Sequence, residues 1–215
     1  PVTNIHRDLL GETDLCFTDN IGHPDVIFLC LGHGISRTFL RENPIAESCK
    51  IIDLGNDFRN DPVFGNREFV FGLCELNKEK IRKANNIANP GCFATSILLA
   101  LIPLASINKL SEAVHIHAIT GSTGAGKKLS ETTHFSYRAS NISVYKPFTH
   151  QHLNEIQRTL TDAGNPILPE INFIPMRGNF TRGIFASIYM KWDRSMSEAE
   201  TIDFYKQFYE TSPFV

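Results

Sequence analysis

Short apolar runs separated by one amphipathic segment characterise the beginning of the chain. Residues 25–31 and 50–54 are rich in β-branched and aliphatic side chains and have the length of buried strands. Between them, residues 36–42 predict a helix that ends before Pro44. Two apolar strands joined by one helix are typical of a βαβ unit, so we expect a parallel sheet that is covered on both faces.

The pattern changes along the rest of the chain. Polar residues and glycines from 55 to 72 predict a loop, residues 75–85 predict a helix, and the dense apolar sequence 92–105 predicts a helix buried on most sides. Further strands are expected at 113–120, 170–176 and 183–192, and further helices at 150–160 and 197–210. The predicted fold class is α/β, with part of a nucleotide-binding sheet followed by a mixed α+β domain.

Composition and charge exclude several classes of protein. The chain has 215 residues, of which 42% are hydrophobic and 20% charged, so neither a disordered chain nor a fibrous repeat is expected. The net charge of −2 argues against a nucleic-acid or anionic membrane partner. No apolar run approaches the roughly 18 residues that span a bilayer, and no signal-peptide pattern opens the chain. We therefore expect a soluble, cytoplasmic protein.

The five cysteines are odd in number and widely spaced. Their spacing fits neither a disulfide framework nor a tetrahedral zinc site, so we expect reduced thiols and no metal. Reduced thiols also favour the cytoplasm. Cys30, inside the apolar run VIFLCL, is expected to be a buried small hydrophobic residue.

Cys92 stands out because Asn89-Pro90-Gly91 stops the chain directly before the helix that it begins. A cysteine in a first turn faces unpaired N–H groups and the positive end of the helix dipole, so we expect its pKa to fall below about 8.5. Gly91 would permit a tight turn and the approach of a substrate. A buried structural cysteine is the alternative.

Two histidines, His150 and His152, lie on a loop that runs into a predicted helix. A catalytic thiolate usually needs an imidazole as general acid or base, and this pair could supply one. Two alternatives remain open: a pair of metal ligands, for which no third residue has convincing spacing, and ordinary surface histidines at a helix start.

Anion recognition is indicated at two further places. Residues 121–127 satisfy the pattern GxxxxGK, but Lys128 occupies the position of the magnesium-binding Ser or Thr, so ATP hydrolysis is disfavoured and a glycine-rich cofactor loop is expected. Arg177 and Arg182 lie in a glycine-flanked loop and suit carboxylate or phosphate capture, the alternative being surface charge. Asp57-Phe58-Arg59 is a weaker case of the same kind.

Taken together, these stretches resemble the N-acetyl-gamma-glutamyl-phosphate reductase family. The matching stretches are residues 24–34, 51–59, 71–77, 88–104, 118–128, 134–156 and 173–187. The resemblance implies an NADPH-dependent enzyme of arginine biosynthesis that reduces a small acyl phosphate to an aldehyde. It also implies a fold resembling glyceraldehyde-3-phosphate dehydrogenase, with the remaining part of a Rossmann domain in residues 1–91 and a catalytic and oligomerisation domain in residues 92–215. A homo-oligomer, dimer or tetramer, follows from the resemblance.

The resemblance also assigns roles to individual residues. Cys92 is the expected nucleophile, and His152, or else His150, is the expected acid/base. The expected cofactor contacts are His33, Gly34, Thr123 and Gly124. The expected substrate contacts are Arg177, Arg182 and Tyr145.

The sequence departs from the family pattern in several places. Cys74 stands where a proline is expected, and Gly55-Asn56-Asp57 replaces Ser-Ala-Asp. The family's glycine-rich fingerprint is absent before Pro1 and its C-terminal return helix is absent, so we expect these residues alone to bind NADPH poorly and to be inactive. A succinylated substrate, a Cys/His hydrolase and a non-enzymatic regulator are the alternatives.

Overall fold

The computed structural model describes residues 1–126, 128–165, 169–192 and 194–215. Two short 3₁₀ turns, Val2–Asn4 and Arg7–Leu9, precede the first strand. The elements that follow are β1 (Val26–Leu29), α1 (Ser36–Glu42), β2 (Lys50–Asp53), β3 (Val63–Phe64), β4 (Arg67–Glu68), β5 (Val70–Phe71), α2 (Cys74–Lys83) and β6 (Asn86–Ala88). The second half contains α3 (Cys92–Ser106), β7 (Val114–Thr120), α4 (Phe135–Arg138), β8 (Ser143–Val144), α5 (His152–Asp162), β9 (Ile171–Arg177), β10 (Ile184–Met190) and α6 (Glu198–Phe208).

The first sheet has the order β1-β2-β6-β5, and every neighbouring pair in it is parallel. The βαβ unit β1-α1-β2 is therefore confirmed. Strand β6 has three residues, too few to produce an apolar run, and the sequence did not predict it. The predicted loop 55–72 was wrong in part, because it contains the antiparallel hairpin β3-β4 and strand β5.

The first sheet is less covered than the sequence predicted. Its inner side packs against Phe58 and Phe69, whose stacked rings have centroids 3.8 Å apart. On β1, however, Phe28 is 61% exposed, so the expectation of cover on both faces was wrong at this strand. Cys30 is likewise exposed, and the prediction that it is buried was wrong. An apolar run shows that a segment is hydrophobic, but it does not show which of its side chains other elements cover.

The second sheet is mixed, as predicted. Its order is β10-β7-β9-β8, with β7 and β9 parallel and the two outer strands antiparallel to their neighbours. Alternate residues of β7 are buried, and α3 and α5 pack on that face. The largest buried side chains between these helices and the sheet are Phe93, Ile97, Leu98, Leu101, Ile102, Ile116 and Phe173. Each such side chain stabilises the fold by roughly 1.5–3 kcal/mol, so α3 is held firmly along its length.

Helix α3 contains an internal proline, Pro103. Proline has no N–H, so the carbonyl of Leu99, one turn earlier, loses its helical donor. The hydroxyl of Tyr209, at the end of α6, donates to that carbonyl at 2.6 Å. The hydroxyl of Tyr205 donates to the carbonyl of Ala100. The last helix thus supplies a hydrogen bond that α3 cannot make for itself.

Within the described parts of the chain, no helix combines the length and the apolar character needed to cross a membrane.

Candidate active site

Cys92 lies at the carboxyl edge of the first sheet. Strands β2 and β6 end side by side there, with the N–H of Asn89 donating to the carbonyl of Asp53 at 2.8 Å. Helix α3 begins at Cys92, which confirms the predicted helix start. The carboxyl edge of a parallel sheet is the usual place for a binding site, because loops and helix starts converge on it.

Gly91 is needed for a different reason from the one the sequence indicated. Its φ of −69° is open to any residue, so no unusual turn requires glycine. A Cβ at this position would instead lie 2.4 Å from Nε2 of His152 and 2.5 Å from Oε1 of Glu155. The imidazole of His152 and the carboxylate of Glu155, both on α5, therefore occupy the space that a side chain at residue 91 would need.

Burial raises the pKa of the Cys92 thiol and is the largest influence on it. The N–H groups of Phe93 and Cys92, and then the charge of Arg59, lower the pKa of this thiol, while Glu155 raises it. The expected lowering of the pKa was therefore wrong, although the helix start acts in the predicted direction. The residue remains accessible to solvent, so a substrate can approach it.

His150 and His152 are brought together as the sequence predicted, but they are buried. Their residues are only 7% and 5% exposed, which excludes ordinary surface histidines. The N–H of His152 donates to Nδ1 of His150 at 3.2 Å. Burial lowers the pKa of His150 to about 4 and that of His152 to about 3, with His150 adding to the second effect. Both imidazoles are therefore neutral near pH 7.

These neutral histidines predict acid sensitivity. In the unfolded chain each imidazole has a pKa near 6.5. As the pH falls below this value, the unfolded state therefore binds more protons than the folded state, which favours unfolding. For His150, the lowering of the pKa from 6.5 to about 4 corresponds to roughly 3 kcal/mol. We expect the free energy of unfolding to fall by an amount of this order between about pH 6.5 and about pH 4.

Urea unfolding of the parent and of His150→Asn over this pH range tests the expectation. Glu155 acts in the opposite direction because burial raises its pKa, so the difference between the two proteins is the quantity to compare. The parent should lose more stability on acidification than the variant. Equal losses would contradict the assignment of a neutral, buried His150.

A buried ion pair completes the surroundings of Cys92, and sequence reasoning did not include it in the site. Nη1 of Arg59 lies 3.2 Å from Oε1 of Glu155, and the two side chains are 5% and 2% exposed. Oε2 of Glu155 accepts the N–H of Gly91 at 3.0 Å, and Oε1 lies 3.6 Å from Nε2 of His152. The sequence signals were Arg59 in Asp57-Phe58-Arg59, a weaker candidate for anion capture, its place in the stretch 51–59, and the spacing of three residues between His152 and Glu155.

Tyr145 and Arg177 form the opposite side of the cluster. The guanidinium of Arg177 lies over the Tyr145 ring, 4.8 Å from its centroid, and that ring is 5.7 Å from the ring of His150. Burial raises the pKa of Tyr145, Arg177 lowers it, and Cys92 raises it, which places the thiol within electrostatic range. Among the described residues, the buried Nε of Arg177 has no hydrogen-bond partner. This donor suits an anionic ligand.

The remaining predicted contacts lie around the cluster. Gly34 has a φ of +79° and donates its N–H to Asp57 at 2.8 Å. His33 approaches Gln151, with 3.4 Å between their Nε2 atoms, so the loop after β1 adjoins the histidine pair. Thr123 donates its hydroxyl to the carbonyl of Thr181 at 2.7 Å.

Two features of the glycine-rich region differ from a nucleotide-phosphate loop. Residues Ser122–Ala125 form a 3₁₀ turn, and the next helix, α4, has four residues. Gly124 lies in that turn, while Lys127 of the GxxxxGK pattern lies outside the described residues. Arg182 is exposed, and its guanidinium has no partner in the described parts of the chain, so the structure does not bring it into the cluster. No group of three His, Cys, Asp or Glu among those residues could hold a metal ion.

Comparison with protein families decides the broader assignment. Residues 92–215 match the model described as "Semialdehyde dehydrogenase, dimerisation domain", and residues 1–84 match "Semialdehyde dehydrogenase, NAD binding domain". The chain belongs to the semialdehyde dehydrogenase family. The predicted fold class, a partial Rossmann domain followed by an α+β domain with a mixed sheet, is thereby confirmed.

Individual relatives of this semialdehyde dehydrogenase family member carry a more specific name. It is 52% identical to N-acetyl-gamma-glutamyl-phosphate reductase of Flavobacterium johnsoniae, over 100% of this chain and 66% of the relative. The protein of the same name from Azobacteroides pseudotrichonymphae is 51% identical, over 99% of this chain and 65% of the relative. The chain thus spans slightly less than two thirds of the length of these relatives.

Solved structures agree on the fold. Aspartate semialdehyde dehydrogenase II from Vibrio cholerae superposes with a TM-score of 0.62 at 18% identity, covering 85% of this chain and 60% of that one. Aspartate semialdehyde dehydrogenase from Francisella tularensis gives a TM-score of 0.62 at 14% identity, covering 86% of this chain and 63% of that one. At these identities the likeness concerns the fold alone.

Proposed function

We propose that this protein carries out the NADPH-dependent reduction of N-acetyl-gamma-glutamyl phosphate to N-acetyl-glutamate 5-semialdehyde and phosphate, in arginine biosynthesis. The observation that carries the proposal is the placement of Cys92 at a helix start, directly after a glycine whose missing side chain leaves the space that the His152 imidazole occupies. The names of the reductase relatives support the choice of substrate.

The loop after β1 fits a nicotinamide cofactor. It follows a parallel strand at the carboxyl edge of the sheet, and Gly34 leaves open space where a side chain would stand. His33 and Gly34, and on the other side Thr123 and Gly124, are the residues that would hold NADPH. Bound there, the cofactor supplies the hydride that reduces the enzyme-bound acyl group.

The first half of the reaction uses Cys92 as a nucleophile. Its sulfur forms a bond to the acyl carbon, the bond to the phosphate oxygen breaks, and phosphate leaves with the electron pair. His152 takes the thiol proton, a role open to it because burial keeps the imidazole neutral. The N–H groups of Cys92 and Phe93 lie at the helix start, where they stabilise the oxyanion. The product is a thioester on Cys92.

The second half releases the aldehyde. After reduction of the thioester to a thiohemiacetal oxyanion, the carbonyl re-forms, the carbon–sulfur bond breaks, and the sulfur leaves with the electron pair and takes the proton held by His152. We favour His152 over His150 because its ring occupies the space where a side chain at Gly91, directly before Cys92, would stand. Arg177 and Tyr145 would hold the anionic groups of the substrate, and Arg182 would contribute at the exposed rim.

We also propose a division of labour along the chain. Residues 1–91 would hold the cofactor, and residues 92–215 would carry catalysis and form a homo-oligomer, a dimer or a tetramer. Phe185 and Tyr189 support this, because both are aromatic, lie on β10 and are more than half exposed. The five free cysteines support a cytoplasmic location.

Assay of the complete gene product in the reverse direction tests the proposal. N-acetyl-glutamate semialdehyde, NADP⁺ and phosphate should yield NADPH, and both omission of phosphate and alkylation of Cys92 should abolish the signal. Faster reaction of the succinylated aldehyde would change the acyl group assigned to the substrate. Hydrolysis of the acyl phosphate without any use of cofactor would replace the reductase by a Cys/His hydrolase.

A further inference from the structure

Arg59 is a buried cation that the mechanism above does not use. It lies in the loop after β2, and its side chain is 5% exposed. Nε donates to the carbonyl of Asn89 at 2.8 Å, and Nη2 lies 3.4 Å from the carbonyl of Leu54. Nη1 lies 3.2 Å from Oε1 of Glu155. One guanidinium thus binds the ends of two strands and a helix of the other domain.

We propose that Arg59 is a positioning residue that acts through Glu155 to hold the turn before Cys92 and the imidazole of His152 in their reactive arrangement. This inference rests on the function proposed above. Arg59 would touch neither substrate nor cofactor, so its contribution differs in kind from those of Arg177 and the histidines.

The geometry supplies the first argument. The turn that delivers Cys92 is held at both ends, at Asn89 directly by Arg59 and at Gly91 through Glu155. The carboxylate that receives the Gly91 N–H also lies 3.6 Å from Nε2 of His152. A shift of Glu155 therefore moves the backbone of the nucleophile and the acid/base side chain at the same time.

Both members of the ion pair are buried, so neither can be removed without affecting the other. Glu155 is 2% exposed, and Arg59 is its charged partner across the two domains. Removing one member of a buried ion pair leaves the other uncompensated, so the remaining group must neutralise or move. Either response disturbs the two oxygens that organise Gly91 and His152.

Charge supplies the third argument. The guanidinium lowers the pKa of the Cys92 thiol, and the carboxylate raises it, the effect of Arg59 being the larger. The pair therefore leaves a net positive influence on the sulfur. Without Arg59 the pKa of the Cys92 thiol would be higher, so the thiolate would form less readily. The sulfur would also be displaced, because the turn before it would have lost its support.

Kinetics of four variants of the complete gene product test the proposal: Arg59→Met, Arg59→Lys, Glu155→Gln and the double variant Arg59→Met/Glu155→Gln. We expect Arg59→Met to lower kcat by roughly 100-fold, the scale expected of about 1 Å of misplacement, with little change in KM. Arg59→Lys should recover part of this loss. The double variant should resemble the single ones, because both remove the same coupling.

A matched control separates positioning from the docking of the two domains. Arg158 donates to the carbonyls of Asn60 and Arg59 across the same boundary, and no contact with Glu155 accompanies these bonds within the described residues. Arg158→Met should leave kcat nearly unchanged. An equal loss in this control would mean that domain docking alone explains the effect, which would overturn the proposal. Losses that multiply in the double variant, or a rise in KM at constant kcat, would do the same.

Alkylation of Cys92 by iodoacetamide, followed by intact mass as a function of pH, gives a readout independent of activity. The midpoint should move upward in Arg59→Met and downward in Glu155→Gln. An unchanged midpoint in both would overturn the proposal even for a protein without reductase activity. Conversely, the expected shifts in a protein that reduces no acyl phosphate would support Arg59 and refute the proposed function. If Arg59→Met fails to fold, the same measurements on Arg59→Lys and Glu155→Gln test the proposal.

Discussion

Cys92→Ser is expected to lower phosphate-dependent NADP⁺ reduction by at least about 10⁴-fold in the complete gene product. A serine hydroxyl is far less acidic than a thiol, and the neighbouring imidazole has a pKa of about 3, which makes it a weak base. The imidazole that would take a proton from the thiol of residue 92 would therefore take one from a serine hydroxyl far less readily. Initial rates at saturating aldehyde, with the variant at high concentration, measure the loss.

Cys74→Ser is the matched control. Cys74 is also exposed and also begins a helix, α2, but it lies outside the cluster around His152. This variant should keep the activity of the parent and still lose it on alkylation. Activity of Cys92→Ser within about tenfold of the parent would rule out Cys92 as the nucleophile.

Gly91→Ala is expected to cost both stability and activity. The new methyl group would lie 2.4 Å from Nε2 of His152 and 2.5 Å from Oε1 of Glu155, both buried and unable to swing into solvent. Overpacking of this kind costs about 1–3 kcal/mol. The displaced imidazole should lower kcat by roughly 100-fold. Urea unfolding and steady-state kinetics on the same preparation measure the two effects.

Gly65→Ala is the control that separates the steric clash expected at residue 91 from the general effect of replacing a glycine. Gly65 has a φ of +56° in the hairpin β3-β4, and a Cβ there meets open space. This variant should lose about 1–2 kcal/mol through backbone strain and keep its kcat. If Gly91→Ala retained the parental kcat, the close contact between Gly91 and His152 would have no catalytic importance.

The parts of the site that the sequence predicted are those set by neighbouring residues. The helix start at Cys92 follows from Asn89-Pro90-Gly91 and the apolar run after it, and the histidine pair stands out by its spacing. The strands with long apolar runs were likewise predictable, whereas β6, with three residues, was not. Local patterns therefore predicted the helix start at Cys92 and the proximity of the two histidines, whereas their catalytic roles stay predictions.

The parts that were missed depend on tertiary packing. Arg59 and Glu155 are 96 residues apart, and although Asp57-Phe58-Arg59 was a weak candidate for anion capture, no local pattern pairs Arg59 with Glu155. The direction of the pKa of Cys92 was predicted wrongly because burial outweighs the helix start, and burial depends on which elements pack nearby. Cys30 shows the same limit in reverse, because it is exposed although it follows the buried Leu29 in an apolar segment.

The bond between Tyr209 and Leu99 gives the folding of this protein an order in time. Its two ends are 110 residues apart, and the ribosome releases Leu99 long before Tyr209. Until then the carbonyl of Leu99 has no helical donor, because Pro103 cannot supply one, and water must take that place. A chain terminated before α6 would therefore leave this carbonyl of the helix that begins at Cys92 without its protein donor, and α3 would lose the packing that α6 supplies.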